Sequence, residues 1–164
     1  MFHPEFNQFM LFDLESGRSL SALASAELGA IASSGAGGAL FFTHHDISEA
    51  AVELEVWDGE AAAPAEVFED SFEGDFTIST GRAVLGAVTA SPNDRVVELP
   101  ANDRYRLRAF RTRSSVPPED PDDVEISEQR WLLQVWPANR RYASTRSATG
   151  ATRTASATVL RLTC

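Results

Sequence analysis

Arg95-Val-Val-Glu-Leu-Pro-Ala-Asn-Asp-Arg-Tyr-Arg-Leu-Arg-Ala-Phe-Arg111 is the stretch that decides the fold. Val96, Val97 and Leu99 give a short strand signal. Pro100-Ala-Asn-Asp103 reads as a turn, because proline presets φ and Asn and Asp side chains bond their own backbone. Beyond it Tyr105, Leu107 and Ala109 alternate with Arg104, Arg106 and Arg108. A period of two is the pattern of a half-buried strand, with one apolar face and one arginine face. The stretch reads as a hairpin whose second strand is central, with Tyr105 and Leu107 buried.

The flanking sequence repeats this texture. Phe6 to Leu14 is a dense apolar run, too short for a typical helix, and reads as a strand buried on both faces. Ser19 is a candidate cap for a short helix carrying Leu20, Leu23, Ala24, Leu28 and Ile31 on one side. Ser33 to Gly38 stops that helix, and Gly35-Ala-Gly-Gly38 reads as linker. Strands are expected at Ala39–Thr43 and Ala51–Trp57, and Phe76–Thr80 is expected to pair with Val84–Val88 through Gly81. Asp58-Gly59 and Ser91-Pro-Asn-Asp94 are turns, and Ala61–Ala65 is connector. Ser114 to Asp123, with three prolines and four acids, is expected to be an exposed loop. Gln129 to Trp136 returns as a strand, with Val135 buried, and Pro137 ends it. Ala143 to Thr158 holds too little apolar surface to offset its ordering entropy. Val159, Leu160 and Leu162 carry a weak late-strand signal. The expected architecture is all-β: a single antiparallel β-sandwich of about eight strands with at most one short helix. It occupies residues 1–142, followed by an Ala/Ser/Thr/Arg-rich flexible tail at 143–164.

The 164 residues carry 24 acids against 14 bases, a formal charge of −10. All the bases are arginine, as a G+C-rich coding sequence would produce, so the arginines are no evidence of phosphate binding. The charge is polarised. Every acid lies at or before Glu128, and residues 1–136 hold nine arginines, a net −15, while five arginines follow Trp136, a net +5. An acidic body repels nucleic acid and attracts basic partners. The one cysteine, Cys164, allows no disulfide within the chain, which fits a reducing compartment. Met-Phe-His-Pro-Glu lacks the basic region of a signal peptide, and Leu20–Phe42 is too broken by glycine and Glu27 to span a membrane. A cytoplasmic protein without membrane contact is expected.

No residue set names a reaction. There is no nucleophile elbow and no phosphate-binding glycine loop between a strand and a helix. His44-His45-Asp46 is the one place resembling metal or acid–base chemistry, but adjacent histidines on an extended chain point apart. Between Thr43 and Gly81 there are eleven acids and no arginine. Within that run Glu66, Glu69, Asp70, Glu73 and Asp75 surround Phe68 and Phe72. A solvated sheet face is one reading of this segment. The other is a partner-binding surface, with carboxylates to steer a basic protein and an aromatic to anchor it.

Three pieces resemble the competence protein J (ComJ) family. They are Phe6-Asn-Gln-Phe-Met-Leu-Phe-Asp13, Gly74-Asp-Phe-Thr-Ile-Ser79 and Glu98-Leu-Pro-Ala-Asn-Asp-Arg-Tyr-Arg-Leu107. The family has an aromatic first strand ending in Phe-Asp and a Leu-Pro turn followed by Gly-x-Tyr. Here Asn102-Asp103 replaces the glycine-containing turn. The resemblance spans about residues 3–136. It implies an acidic, non-enzymatic bacterial protein that binds and inhibits a nuclease, without cofactors, and it transfers no individual site residue. The function expected is therefore an inhibitor or immunity-type protein docking on a basic nuclease or toxin. Two alternatives stay open. One is a carbohydrate- or ligand-binding module using Trp57, Trp131 or Trp136 as a platform. The other is a metal-assisted hydrolase built on His44-His45-Asp46.

Overall fold

The computed structural model describes residues 6–15, 23, 29–44, 47, 49–100, 102–116, 126–138 and 156–162. The strands are β1 (Gln8–Asp13), β2 (Ala32–Gly35), β3 (Gly38–Phe42), β4 (Glu49–Trp57), β5 (Asp70–Thr77), β6 (Arg82–Ala87), β7 (Arg95–Glu98), β8 (Arg104–Val116), β9 (Ile126–Pro137) and β10 (Ala157–Leu162). They form two stacked sheets, β2-β3-β1-β6-β7 and β10-β4-β9-β8-β5. The all-β sandwich is the observed fold. Its named strand pairs are antiparallel except β4 with β9, which run parallel. No α-helix occurs among the described residues, and most of the segment expected to be helical, Ser19–Ile31, lies outside them.

The core forms where the two alternating patterns meet. Phe9 and Leu11 of β1 face Trp131, Leu133, Tyr105 and Leu107 across the sandwich. Phe9 stacks on Phe41 at 4.8 Å and meets the edge of Trp131 at 5.1 Å, the preferred aromatic geometries. Met10 and Phe12 bury on the other side of β1 with Leu40, Val84 and Leu23. β1 is thus covered on both faces, as its unbroken apolar run predicts. Tyr105, Leu107 and Val135 are fully buried.

Two expected hairpins are not hairpins. β7 pairs with β6 in the first sheet, whereas β8 lies between β9 and β5 in the second. The turn Pro100–Asp103 therefore carries the chain from one sheet to the other. The same holds for β5 and β6, which lie in different sheets and are linked by residues 78–81. The two crossings run side by side, with Ile78 N donating to Asp103 O and Leu99 N to Gly81 O. Alternation identifies a strand but not its neighbour, so adjacency in sequence is a misleading guide to pairing here.

Two strands lie where none, or only a weak one, was expected. Gly35-Ala-Gly-Gly38 is the connection of the β2–β3 hairpin rather than linker. Gly38 has φ +148°, and a Cβ there would stand 2.1 Å from the Leu11 carbonyl oxygen, so only glycine fits. Small residues also let β2 close on β5. Ser34 Oγ donates to Asp75 O, and a Cβ on Gly74 would come within 2.4 Å of that hydroxyl. The late-strand signal is β10, which pairs antiparallel with β4 and so draws Ala157 and Thr158, expected to be unordered, into the sheet. Residues 143–155 of the expected tail lie outside the described residues. The loop expected from Ser114 starts later, since residues 114–116 continue β8 against β9, and 117–123 lie outside the described residues.

Asp13, at the end of β1, pins the first crossing. It is 1% exposed, and its carboxylate accepts from the Ser79 amide and hydroxyl, the Thr80 hydroxyl and the Glu15 amide. Burial pushes its pKa up, but these hydrogen bonds outweigh burial and hold it at about 2. Tyr105, beside it, donates to the Pro100 and Asn102 carbonyls across the second crossing. A carboxylate depressed from 3.8 to about 2 contributes about 2 kcal/mol that is present above pH 4 and lost as the pH falls through 2. Asp13→Asn is therefore expected to cost about 2 kcal/mol at pH 7 in chemical denaturation, with the difference from wild type closing toward pH 2. An equal difference at both pH values would contradict this role.

Candidate functional site

The outer face of the second sheet collects the charge. The arginines on the outer side of β8 stand opposite the acids of β5: Asp75 faces Arg106 and Glu73 faces Arg108 in register. Asp75 bonds Arg104 at 2.6 Å and Arg106 at 2.9 Å. Glu73 bonds Arg106, and also Arg108 at 3.2 Å. The Arg106 hydrogen bond pulls the Glu73 pKa down, against burial, with further help from Arg108. Burial raises that of Asp75, but Arg104 and Arg106 outweigh it and the net shift is downward. Arg108 adds Glu60 at 3.2 Å and lies 4.9 Å over the Trp136 ring. The result is a ladder of alternating charge along two paired strands.

The connection from β4 to β5, residues 58–69, crosses this face as a strap. Arg108 donates to the Ala61 carbonyl and Gln134 to the Ala62 carbonyl. Ala61 is buried, and Phe68 packs on Phe110 at 5.4 Å. At the far end Glu66 pairs with Arg130 at 3.2 Å. Between the strap and strands β4 and β9 lies a cavity of about 420 Å³. Its walls are Pro64, Phe68 and Leu132, with Glu53, Glu55, Glu66 and Arg130 around them. Val67, between two of these residues, is 96% exposed.

The expected partner-binding segment therefore divides. Glu66 and Phe68 lie on the strap and line the cavity. Glu69 is exposed, with no side-chain partner among the described residues. Asp70, Phe72, Glu73 and Asp75 belong to β5. Phe72 packs toward the core. Asp70 bonds Arg111 at 2.6 Å on the inner side, and Arg111 reaches the Phe42 carbonyl of the other sheet. Neither phenylalanine is a free anchor. β5 runs over Asp70–Thr77 instead of the expected Phe76–Thr80, since the alternation of Phe72, Gly74 and Phe76 with Glu73 and Asp75 that marks it is masked by Gly and acids that disfavour strands. Glu53, Glu55 and Arg130 do not stand together in the sequence, because only folding brings β4 and β9 under the strap.

The other candidates are placed as follows. Trp131 and Trp136 are buried, and Trp57 is half-buried with its indole N–H donated to Glu55, so no open tryptophan platform forms among the described residues. His44 is exposed, and His45 and Asp46 lie outside the described residues. Among the described residues no cluster of three His, Cys, Asp or Glu side chains can hold a metal ion.

Removing Glu73 and Asp75 together leaves Arg104, Arg106 and Arg108 side by side. Glu73→Ala/Asp75→Ala is expected to cost about 1 kcal/mol in urea denaturation at low salt, less at high salt, given the partial exposure of the pairs. Glu69→Ala is expected within about 0.5 kcal/mol of wild type. Equal, negligible effects would mean that the ladder contributes nothing to stability.

No model of a known protein family matches the chain, and no curated protein matches it. Among solved structures it is similar to the crystal structure of ComJ, inhibitor of the DNA-degrading activity of NucA, from Bacillus subtilis. The likeness has a TM-score of 0.50 at 13% identity and covers 82% of this chain and 91% of that one. At that identity it establishes a shared fold.

Proposed function

We propose that this chain is a non-enzymatic binding protein that docks on a nuclease and blocks it. The observation carrying this reading is the fold shared with a nuclease inhibitor across most of both chains. The charge agrees with it. A protein with formal charge −10 is drawn toward a basic enzyme, and nucleic-acid-cleaving proteins are commonly basic where they meet phosphate. The lone cysteine is compatible with a cytoplasmic site of action. Docking uses the strap and the outer face of β4 and β9, where Glu66, Phe68 and Glu69 join Glu53 and Glu55. The β5 acids Asp70, Glu73 and Asp75 set the shape of that face, and Phe72 supports it from the core side.

The test captures a nuclease from the native host on the immobilised chain and measures inhibition of its DNA cleavage, with the complex followed by surface plasmon resonance. One equivalent of the chain is expected to stop cleavage, with association slowing about tenfold or more between low and high salt. Undiminished cleavage at about tenfold excess, with no complex formed, would refute the inhibitor reading.

A further inference from the structure

We infer that the cavity beneath the strap receives one long basic side chain, arginine or lysine, projecting from the nuclease; this rests on the inhibitor reading above. The cavity, at about 420 Å³, lies in the range of sites that hold small ligands. Its walls suit an amphipathic side chain. Pro64, Phe68 and Leu132 can cover a methylene stem, and the Glu55 carboxylate can meet a cationic head. Of the lining acids Glu66 already holds Arg130 and Glu53 stands opposite Arg161 of β10 in register, so the carboxylate that meets the incoming cation is that of Glu55.

The local hydrogen bonding is short of donors. Glu55 Oε2 accepts from both Trp57 Nε1 and Gln134 Nε2, while its Oε1 has no partner among the described residues. A guanidinium brings five donors and no acceptor. The rest of the face offers less. Asp70, Glu73 and Asp75 are already bound to arginines of β8. The exposed Val67 adds an apolar contact next to the charge, the pairing typical of an interface anchor.

The experiment titrates isotope-labelled full-length protein with N-acetyl-arginine amide and with its neutral isostere N-acetyl-citrulline amide, following backbone amide shifts. The arginine probe is expected to saturate with Kd on the order of millimolar, as suits a ligand of its size. Shifts should concentrate at residues 51–55, 64–68 and 130–132. The citrulline probe should bind at least about tenfold more weakly, because it lacks the charge. Ala51→Trp, filling the cavity from the sheet, should abolish the shifts, and Ala65→Trp does so from the strap if the first variant fails to fold. Shifts elsewhere, equal binding of both probes, or binding unaffected by a folded plug variant would each overturn the inference. The two readings separate in the nuclease assay. A plug variant that inhibits as well as wild type removes the cavity and leaves the inhibitor standing. A wild-type chain that inhibits nothing removes the inhibitor, and the probe titration still decides the cavity.

Discussion

The buried carboxylate of Asp13 is the constraint on which the rest of the sandwich depends. It closes β1 onto the residue 78–81 crossing with three hydrogen bonds and takes a fourth from the Glu15 amide, at a corner where two crossings between the sheets lie against each other. A carboxylate taken from water without such partners would protonate or destabilise the fold by several kcal/mol. With them it fixes where β5 ends and β6 begins. Tyr105 does the same for the start of β8 through its two carbonyl acceptors. Once both crossings are set, the β5–β8 register follows, and so does the facing of Glu73 and Asp75 onto arginines.

That register changes the meaning of the chain's charge. Counted along the sequence, residues 43–81 look like an uninterrupted field of free acid. In the folded protein Asp70, Glu73 and Asp75 meet arginines from β8, Glu60 meets Arg108 and Glu66 meets Arg130. Each exposed pair is worth little by itself, within about 1 kcal/mol. Their collective effect is to mute the acidic potential over β5. The net charge of −10 is unchanged by this pairing; what changes is how it is distributed over the surface.

What could be read from the sequence was what depends on near neighbours. The alternation at Tyr105, Leu107 and Ala109 placed the inner face of β8 correctly, and the apolar run at Phe9–Phe12 revealed a strand covered on both sides. Pairing could not be read, because β7 and β8 share a turn but not a sheet, and β4 finds β9 in parallel from far along the chain. β2 escaped notice because alanine, serine and glycine look like linker until β5 is laid against them. The candidate site was half legible. Glu66 and Phe68 stand out locally, while Glu53, Glu55, Arg130 and Leu132 join them only through the sheet and the strap.

The proposed docking surface, made of the strap and the outer face of β4 and β9, has a direct signature in hydrogen–deuterium exchange of the full chain, free and in complex with the nuclease that the proposed function calls for. Binding is predicted to add protection chiefly at residues 51–55, 58–69 and 130–132, with β6 and β7 unchanged. Protection gained on β6 and β7 of the opposite sheet, with the strap exchanging as in the free protein, would contradict it.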